Sequence, residues 1–394
     1  LIFQTQDRIE QDQTTQEFQI LGNAWDNRVH LVGGFFYFEE EASDFGLIEG
    51  IPPNFPRLIG GVTDNDSWSV FSEVVLDVSD RFRLLGGLRY TDENKRFDGT
   101  AITLPSAPAQ GGRDFLLGDA AGEAKLSFDE VTWRASAMFD ITDSTMTYFT
   151  ASRGFKSGGF DMRITQDATE LPRFQPEFVT MYELGLKNEF IDYGLRLNVA
   201  VFYSDYTDIQ VSANPPGQIN TVTANAADGE VLGLEVEATW IPVPELQIVA
   251  SLGLQDADYT DINEESNVSV SLEDDFIRTP EFSTNLGISY RINLANSGSL
   301  TPHVNWNYRS KIAFEPVNSP GTLGSLINEG GYHVVNLNVA YQDLSELWLL
   351  RVGINNLTDS RYLVAGDTND TIGYVLGVYA RERNWFLTIE RSFK

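Results

Sequence analysis

Apolar and polar residues alternate along most of the chain, in runs of ten or more positions. The even positions from 232 to 240 hold Leu, Leu, Val, Ala and Trp, whereas the odd positions between them are mostly small or polar. Residues 131–141, 246–255 and 300–309 repeat this pattern. Because successive side chains of a β-strand point to opposite faces, each run predicts a strand with one apolar and one polar face.

The alternation predicts about fifteen strands, joined by connectors of two kinds. The strands are predicted at residues 13–25, 28–40, 66–79, 81–96, 126–141, 144–158, 176–190, 194–211, 228–241, 246–260, 279–294, 299–313, 331–343, 346–358 and 374–393. Short connectors are predicted near residues 26–27, 79–80, 142–144, 191–194, 241–245, 295–298 and 343–346. Long connectors, rich in Asp, Glu, Gly, Pro and Asn, are predicted at residues 41–65, 97–121, 159–175, 212–227, 261–278, 314–330 and 359–373. Short turns alternating with long loops are typical of outer-membrane barrels.

The chain contains no run approaching the roughly 18 consecutive apolar residues of a membrane-spanning helix. A chain crossing hydrocarbon must satisfy its backbone hydrogen bonds internally, as helices or as a closed barrel. The strands of a soluble sandwich usually end after about five or six residues, whereas these runs are long enough to cross a bilayer. The predicted fold is therefore all-β: a transmembrane, antiparallel, up-and-down β-barrel with short periplasmic turns and long extracellular loops.

Aromatic residues on the apolar face stand beside six of the seven short connectors. They are Phe82, Phe139, Phe190, Trp240, Tyr290 and Tyr341, and Trp25 stands out of phase beside the seventh. Aromatics favour strands in general, but a ring of them at the membrane–water boundary is expected of a barrel.

Composition excludes several classes of protein. The 27 basic and 57 acidic residues give a net charge of −30, so no nucleic-acid partner is expected, because such binding depends on Lys and Arg at the phosphates. The chain has no cysteine, which excludes disulfides and thiolate metal sites.

Candidate chemistry is sparse. Five basic residues are predicted to face the barrel interior, where they either pair with acidic residues or attract an anionic ligand: Arg134, Arg153, Lys156, Arg196 and Arg309. The histidines His30, His303 and His333 are far apart in sequence, and we expect their side chains to be hydrogen-bonded or in contact with water rather than bound to a metal. The acidic run Asp256, Asp258, Asp261, Glu264 and Glu265 lacks the glycine of an EF-hand, so a solvated loop is favoured over loosely held calcium. No catalytic constellation stands out, and neither enzyme activity, a metal nor a cofactor is expected.

Several segments resemble the barrel of TonB-dependent outer-membrane receptors. They are residues 15–20, 33–37, 148–160, 182–187, 201–210 and 233–235, and the run Asn355-Asn356-Leu357-Thr358-Asp359-Ser360-Arg361-Tyr362 is similar to the family's Asn-Leu-x-Asp-x-x-Tyr motif. The last strand, with Trp385, Leu387, Ile389 and Phe393, is similar to the signal read by the barrel-assembly machinery. Arg391 interrupts its apolar face, and Lys394 follows the aromatic residue.

The resemblance implies a fold and a function. Family barrels have 22 strands around an N-terminal plug domain, so residues 1–394 are expected to be the C-terminal portion of such a barrel, without plug and first strands. An odd strand count agrees, because bacterial single-chain barrels have even counts. Such a fragment is not expected to insert alone as a functional pore, because its two sheet edges would lie unpaired in lipid.

The implied function is energised uptake of a scarce nutrient through the outer membrane of a Gram-negative bacterium, foremost a ferric siderophore. The implied partners are the TonB–ExbB–ExbD complex, the barrel-assembly machinery, lipopolysaccharide and a small-molecule ligand. Uptake of a glycan or cobalamin, a passive porin or adhesin, and a soluble secreted β protein remain alternatives.

Overall fold

The described part of the protein is mostly β-strand, with very little helix. A computed structural model describes residues 4–49, 57–103, 120–161, 173–215, 221–266, 268–370 and 373–393. The strands are β1 Gln4–Ala24, β2 Val29–Glu49, β3 Arg57–Ser79, β4 Phe82–Thr103, β5 Ala120–Thr142, β6 Thr145–Lys156, β7 Gly159–Phe160, β8 Arg173–Phe174, β9 Glu177–Phe190, β10 Leu195–Ala213, β11 Val222–Val243, β12 Leu246–Ile262, β13 Phe282–Tyr290, β14 Ile292–Asn293, β15 Ser299–Arg309, β16 Tyr332–Gln342, β17 Trp348–Asn355, β18 Leu363–Asn369, β19 Tyr374–Tyr379 and β20 Asn384–Arg391. Short 3-10 turns lie at Ile191–Tyr193, Glu264–Ser266 and Gly324–Ile327.

Fifteen of the described strands form one antiparallel sheet. They pair in the order β1-β2-β3-β4-β5-β6-β9-β10-β11-β12-β13-β15-β16-β17-β20, and β14 adds a short pairing to β15. Small two-stranded sheets, β7–β8 and β18–β19, lie outside this path. The predicted antiparallel, up-and-down order of fifteen strands is confirmed. No helix among the described residues is long and apolar enough to span a membrane, a finding that does not bear on crossing by strands.

The prediction of one continuous strand over residues 374–393 was wrong. That region contains β19 and β20, separated by residues 380–383, and β19 pairs with β18, which lies in the predicted loop 359–373. The interruption has partners of its own, because the Ala380 amide donates to the Tyr362 carbonyl at 2.9 Å and the Arg383 amide donates to Asp359 at 2.9 Å. Because the backbone of residues 380–383 bonds to these groups, it does not take part in the strand pairing of the main sheet.

The first five strands are longer than predicted, at 21 to 23 residues each. At about 3.3 Å per residue they extend about 70 Å, whereas a crossing takes about 9–11 residues. Strand therefore occupies residues 41–49 and 57–65 of the predicted loop 41–65, as in the cross-strand pair Glu41 and Asp64, and residues 97–103 and 120–121 of the predicted loop 97–121. Residues 104–119 lie outside the described part of the chain. The alternation of apolar and polar residues did not reveal these extensions. Outside the membrane both faces of a strand contact water, so acidic side chains occur on both faces and the alternation disappears.

Strand register aligns the apolar residues on one face. Phe149 pairs with Leu184, Leu184 with Val201, Val201 with Leu234, and Leu234 with Leu254. Leu184 is 58% and Val201 46% exposed, so no second layer of the described chain covers them. We call this side the apolar face and the opposite side the polar face. The end of the sheet with the short connectors is its turn end, and the other is its loop end.

The predicted belt of aromatic residues lies at the turn end of the sheet. Phe82 and Phe139 are cross-strand partners, and Trp240 and Tyr290 are about half exposed on the apolar face. The Trp240 indole N–H donates to the Tyr193 carbonyl at 3.1 Å. Such rings, apolar in body and polar at one tip, suit a membrane–water boundary. Trp25 occupies a tight turn with a positive φ of 53°, which accounts for its being out of phase.

On the polar face, aromatic rings cover glycines of the neighbouring strand. The cross-strand pairs are Gly34 with Phe71, Gly185 with Tyr148, Gly233 with Phe202, and Gly353 with Phe386. A Cβ at these glycines would stand 2.2 to 2.5 Å from a ring atom, so the ring fits only because the side chain is a hydrogen. Three of these glycines lie in the segments that carry the resemblance, and packing explains their presence there.

We expect Gly233→Ala to destabilise the protein by about 1–3 kcal/mol, since the added methyl group must displace the Phe202 ring. The control is Gly287→Ala on the same face, where the nearest atom lies 3.5 Å from the added carbon. The measurement is guanidinium unfolding of each variant in lipid vesicles. Adding Phe202→Ala should remove most of the difference between the two glycine variants; equal effects of Gly233→Ala and Gly287→Ala would contradict the packing account.

Candidate functional site

The five predicted interior basic residues do not form one cluster. Arg134, Lys156, Arg196 and Arg309 lie on the polar face as predicted. Arg196 lies near the turn end, where its guanidinium is 2.6 Å from the Glu189 carboxylate. Lys156 lies at the loop end, opposite Glu177. Within the described part of the chain, these residues are therefore too scattered to form a single anion-binding centre.

The prediction for Arg153 was wrong, because it lies on the apolar face. Its cross-strand partners are Trp133 and Thr180, and it shares its face with Phe149, four residues earlier. The guanidinium lies 4.7 Å from the centre of the Phe178 ring. This cation–π contact, near the loop end of a strand, lets a charged residue occupy that face.

The histidines and the acidic run show no metal site. His30 lies 2.9 Å from the Asn23 side-chain oxygen, and His303 Nδ1 lies 2.7 Å from the Ser289 hydroxyl. Part of the acidic run belongs to β12 rather than to a loop, with Asp258 paired to Glu230. Across the described ranges, no group of three or more His, Cys, Asp or Glu side chains could hold a metal ion.

The predicted assembly signal lies on the exposed apolar face of β20. Trp385, Leu387 and Ile389 are 72%, 67% and 60% exposed, and Phe393 is 83% exposed. The Arg391 guanidinium lies 5.0 Å from the Trp348 ring centre and 4.9 Å from that of Phe393. Arg391 is thus accommodated between aromatic rings, and the recognition role of the strand remains a prediction.

The Asn355–Tyr362 motif builds the turn that ends β17. Asn356 has a positive φ of 52°, accepts a hydrogen bond from the Ser360 amide at 2.8 Å and donates to the Ser360 carbonyl at 2.9 Å. Tyr362 stacks on Tyr332 with 4.1 Å between ring centres. In the described structure, the motif residues hold the backbone of this turn, which lies at the loop end of the sheet.

A cavity of about 630 Å³ opens at the loop end, on the polar face. Its walls come from the end of β6, from β9 to β12, from the connectors 263–281 and 310–331, and from β18. Its aromatic lining consists of Phe202, Tyr206, Tyr259, Phe276 and Phe314, and its charged lining consists of Lys156, Glu177, Glu315 and Asp367. The volume lies within the range of about 300–1,000 Å³ usual for small-molecule sites.

Side-chain amides hold the strand side of this cavity. β10 is bulged between Tyr206 and Ile209. Beyond the bulge, the Gln210 amide group donates to the carbonyls of Ser157 at 2.9 Å and Gln175 at 3.0 Å, and the Gln210 backbone N–H donates to Glu177 at 2.8 Å. These bonds satisfy backbone groups that have left the ladder, as burial requires.

A buried polar pair joins the two connectors on the other side. Asp274 and Asn318 are 5% and 2% exposed. Asp274 accepts hydrogen bonds from the amides of Asn318 at 2.7 Å and Ser319 at 2.6 Å. The Asn318 side chain donates to the Asp275 carbonyl at 2.8 Å and to the Glu315 carbonyl at 2.7 Å. A fully bonded network of this kind is rigid, so it fixes the position of Glu315.

Burial, together with the negative charges of Asp367 and Asp370, raises the pKa of the Glu315 carboxyl to about 7, and a hydrogen bond from the Thr368 amide opposes the change. Glu315 and Asp367 come from different segments and line the same cavity. No sequence signal indicated this arrangement, because both residues lie in predicted loops without a motif.

The sequence matches known proteins at the level of a family. The family model described as TonB dependent receptor-like, beta-barrel matches residues 2–357. A pesticin receptor of Yersinia enterocolitica is 27% identical over 191 residues, covering 48% of this chain and 26% of the relative. The catecholate siderophore receptor Fiu of Escherichia coli O157:H7 is 22% identical over 328 residues, covering 78% of this chain and 40% of the relative. The chain thus spans less than half the length of these curated relatives.

Solved structures share the fold. The ferric yersiniabactin uptake receptor FyuA from Yersinia pestis superposes with a TM-score of 0.80 and 20% sequence identity, covering 100% of this chain and 55% of that one. At this identity the likeness establishes the architecture of the sheet, while ligand choice depends on the residues of the site itself.

The hairpin β18–β19 docks on the connector 310–331 where Leu363 packs against Ile312, Phe314 and Ile327. Glu315→Gln should remove the Glu315 contribution to the pH dependence of this docking. A carboxyl whose pKa is raised by docking stabilises the docked state at low pH and loses that contribution as the pH rises through about 7. At pH 8 we expect the variant to dock more tightly by about 1–3 kcal/mol, and at pH 4 to equal the wild type. The measurement is hydrogen exchange of the Leu363 and Thr368 amides, corrected for intrinsic rates.

The control for this experiment is Glu273→Gln, because Glu273 is an exposed residue of the connector 263–281. It should follow the wild type at both pH values. Equal protection of wild type and Glu315→Gln at pH 8 would show that the Glu315 charge does not oppose docking.

Proposed function

The chain belongs to the TonB-dependent receptor-like β-barrel family, whose members lie in the outer membrane of Gram-negative bacteria, and from that premise we propose that it serves in the TonB-dependent uptake of a ferric siderophore. The cavity at the loop end carries this proposal, since it offers a ligand-sized space on the polar face of a sheet whose apolar face is exposed. A ligand in that cavity would contact residues of the long connectors as well as the strands.

Similar proteins support an iron complex as the cargo. The relatives and the superposed structure are named as receptors for pesticin, catecholate siderophores and ferric yersiniabactin. The chain spans only part of each, so cargo and partners are part of the proposal. We expect coupling to the TonB–ExbB–ExbD complex, insertion by the barrel-assembly machinery through the β20 signal, and contact with lipopolysaccharide around the apolar face.

The uptake experiment uses an iron-starved host that lacks its own siderophore receptors and expresses the full-length gene. We expect radiolabelled iron to accumulate from at least one class among catecholate, hydroxamate and mixed-ligand ferric siderophores. Accumulation should fall to the empty-vector level in a strain without TonB, because the transport is energised from the inner membrane. Uptake that persists without TonB would indicate a passive pore, and no uptake of any class would overturn the iron assignment.

A further inference from the structure

The charge of the loop-end cavity is unusual for a site that would take an anion. Its described lining has three carboxylates, Glu177, Glu315 and Asp367, and one ammonium group, Lys156. Fully ionised, this lining would carry two net negative charges. The cavity wall therefore repels an anionic group and attracts a cationic one.

The four charged side chains of the lining form two pairs of different character: Lys156 with Glu177, and Glu315 with Asp367. Glu177 stands opposite Lys156 in the β6–β9 register and accepts a hydrogen bond from the Gln210 backbone N–H at 2.8 Å, so the one ammonium group of the described lining lies on the Glu177 side of the cavity. Glu315 and Asp367 approach each other from the connector 310–331 and from β18. Neither forms an ion pair with a cation in the described part of the chain, so the uncompensated charge is on this side of the cavity.

Aromatic walls complete the site. Phe314, adjacent to Glu315, is 7% exposed, and Tyr259 is also 7% exposed. Tyr259 and Phe276 pack with 4.4 Å between ring centres. Aromatic faces beside carboxylates attract an organic cation both through the ring quadrupole and through direct charge.

We propose that this cavity binds the ammonium group of a cationic ligand, between Glu315 and Asp367 and against the aromatic walls. An organic cation is favoured over a metal ion, because the described residues provide no group of three metal-binding side chains. The inference rests on the proposed uptake function and narrows its cargo to iron complexes that bear a free amine. The basic residues of the polar face, being scattered, do not provide a competing anion site.

The state of Glu315 sets the pH dependence of this binding. Asp367, Asp370 and Tyr374 are the titratable groups that interact with Glu315, and the Thr368 amide donates a hydrogen bond to it. Because burial and like charge raise the pKa of Glu315 to about 7, the group is largely ionised at pH 8 and largely protonated at pH 6. A cationic ligand should therefore bind more weakly at pH 6.

The test compares three probes of similar size on the wild-type, full-length protein in lipid nanodiscs at pH 8. Phenethylammonium is the cation, 2-phenylethanol is its neutral counterpart, and phenylacetate is the anion. Affinities come from saturation-transfer NMR titrations. We expect phenethylammonium to bind about tenfold more tightly than 2-phenylethanol, a difference of about 1.4 kcal/mol, and phenylacetate to bind more weakly still.

Variants then locate the site. Glu315→Gln with Asp367→Asn should reduce the affinity for phenethylammonium about tenfold and leave that for 2-phenylethanol unchanged, while the control Glu273→Gln should change neither. Heat-dependent migration on a denaturing gel verifies that each variant is folded. The inference is overturned if no probe binds saturably, if the alcohol or the anion binds as tightly as the cation, or if the folded double variant retains its affinity for the cation.

The outcomes separate this inference from the proposed function. TonB-dependent iron uptake without preference for the cationic probe would refute the inference alone. Preference for the cation without uptake of any ferric siderophore would refute the iron assignment and leave the cation site in place.

Discussion

Backbone hydrogen bonding is the constraint on which the structure depends. Hydrocarbon offers no donors or acceptors, and each unsatisfied backbone group costs several kcal/mol there. Each strand on the main path of the sheet from β2 to β17 is accordingly paired on both sides, in chain order, and among the described strands of that sheet between β1 and β20 only the short β14 has a single partner. Because the ladder fixes the register, it also determines that alternate side chains face lipid. The same register places glycines such as Gly185 and Gly233 beneath the rings of the next strand.

The site forms where the ladder ends. At the bulge in β10, backbone groups lose their strand partners and side-chain amides such as Gln210 replace them. The connectors above are held together by the Asp274–Asn318 pair and by an isolated β-bridge between Ile277 and Ala313, outside the main sheet. A rigid sheet thus carries a cavity whose walls are set by a few polar contacts, and its charge can change by substitution in connectors without disturbing the membrane-facing strands.

The fold was largely predictable because one face of each strand contacts lipid and the other contacts water, which makes apolar and polar residues alternate along the sequence. Strands such as β9, β10 and β12, whose faces meet lipid and water, were located within two residues at each end, whereas β11 begins six residues before its predicted start. The extensions of β2 and β3 were missed because both of their faces are wet. Arg153 was misplaced although its parity with Phe149 was visible, since a charge was assumed to avoid the apolar face. The pairing of Glu315 with Asp367 depends on how two connectors meet, which no local pattern records.

The most direct test of the lipid-facing assignment is spin-label accessibility along β11 of the full-length protein in bilayers. Single labels at positions 232 to 240 would be compared for collision with oxygen, which concentrates in lipid, and with a water-soluble nickel complex. High oxygen accessibility at Leu232, Leu234 and Val236, with low values at Gly233 and Glu235, is the predicted period of two. Uniform values, or protection of the even positions from both reagents, would show that this face is covered by protein and would contradict the account.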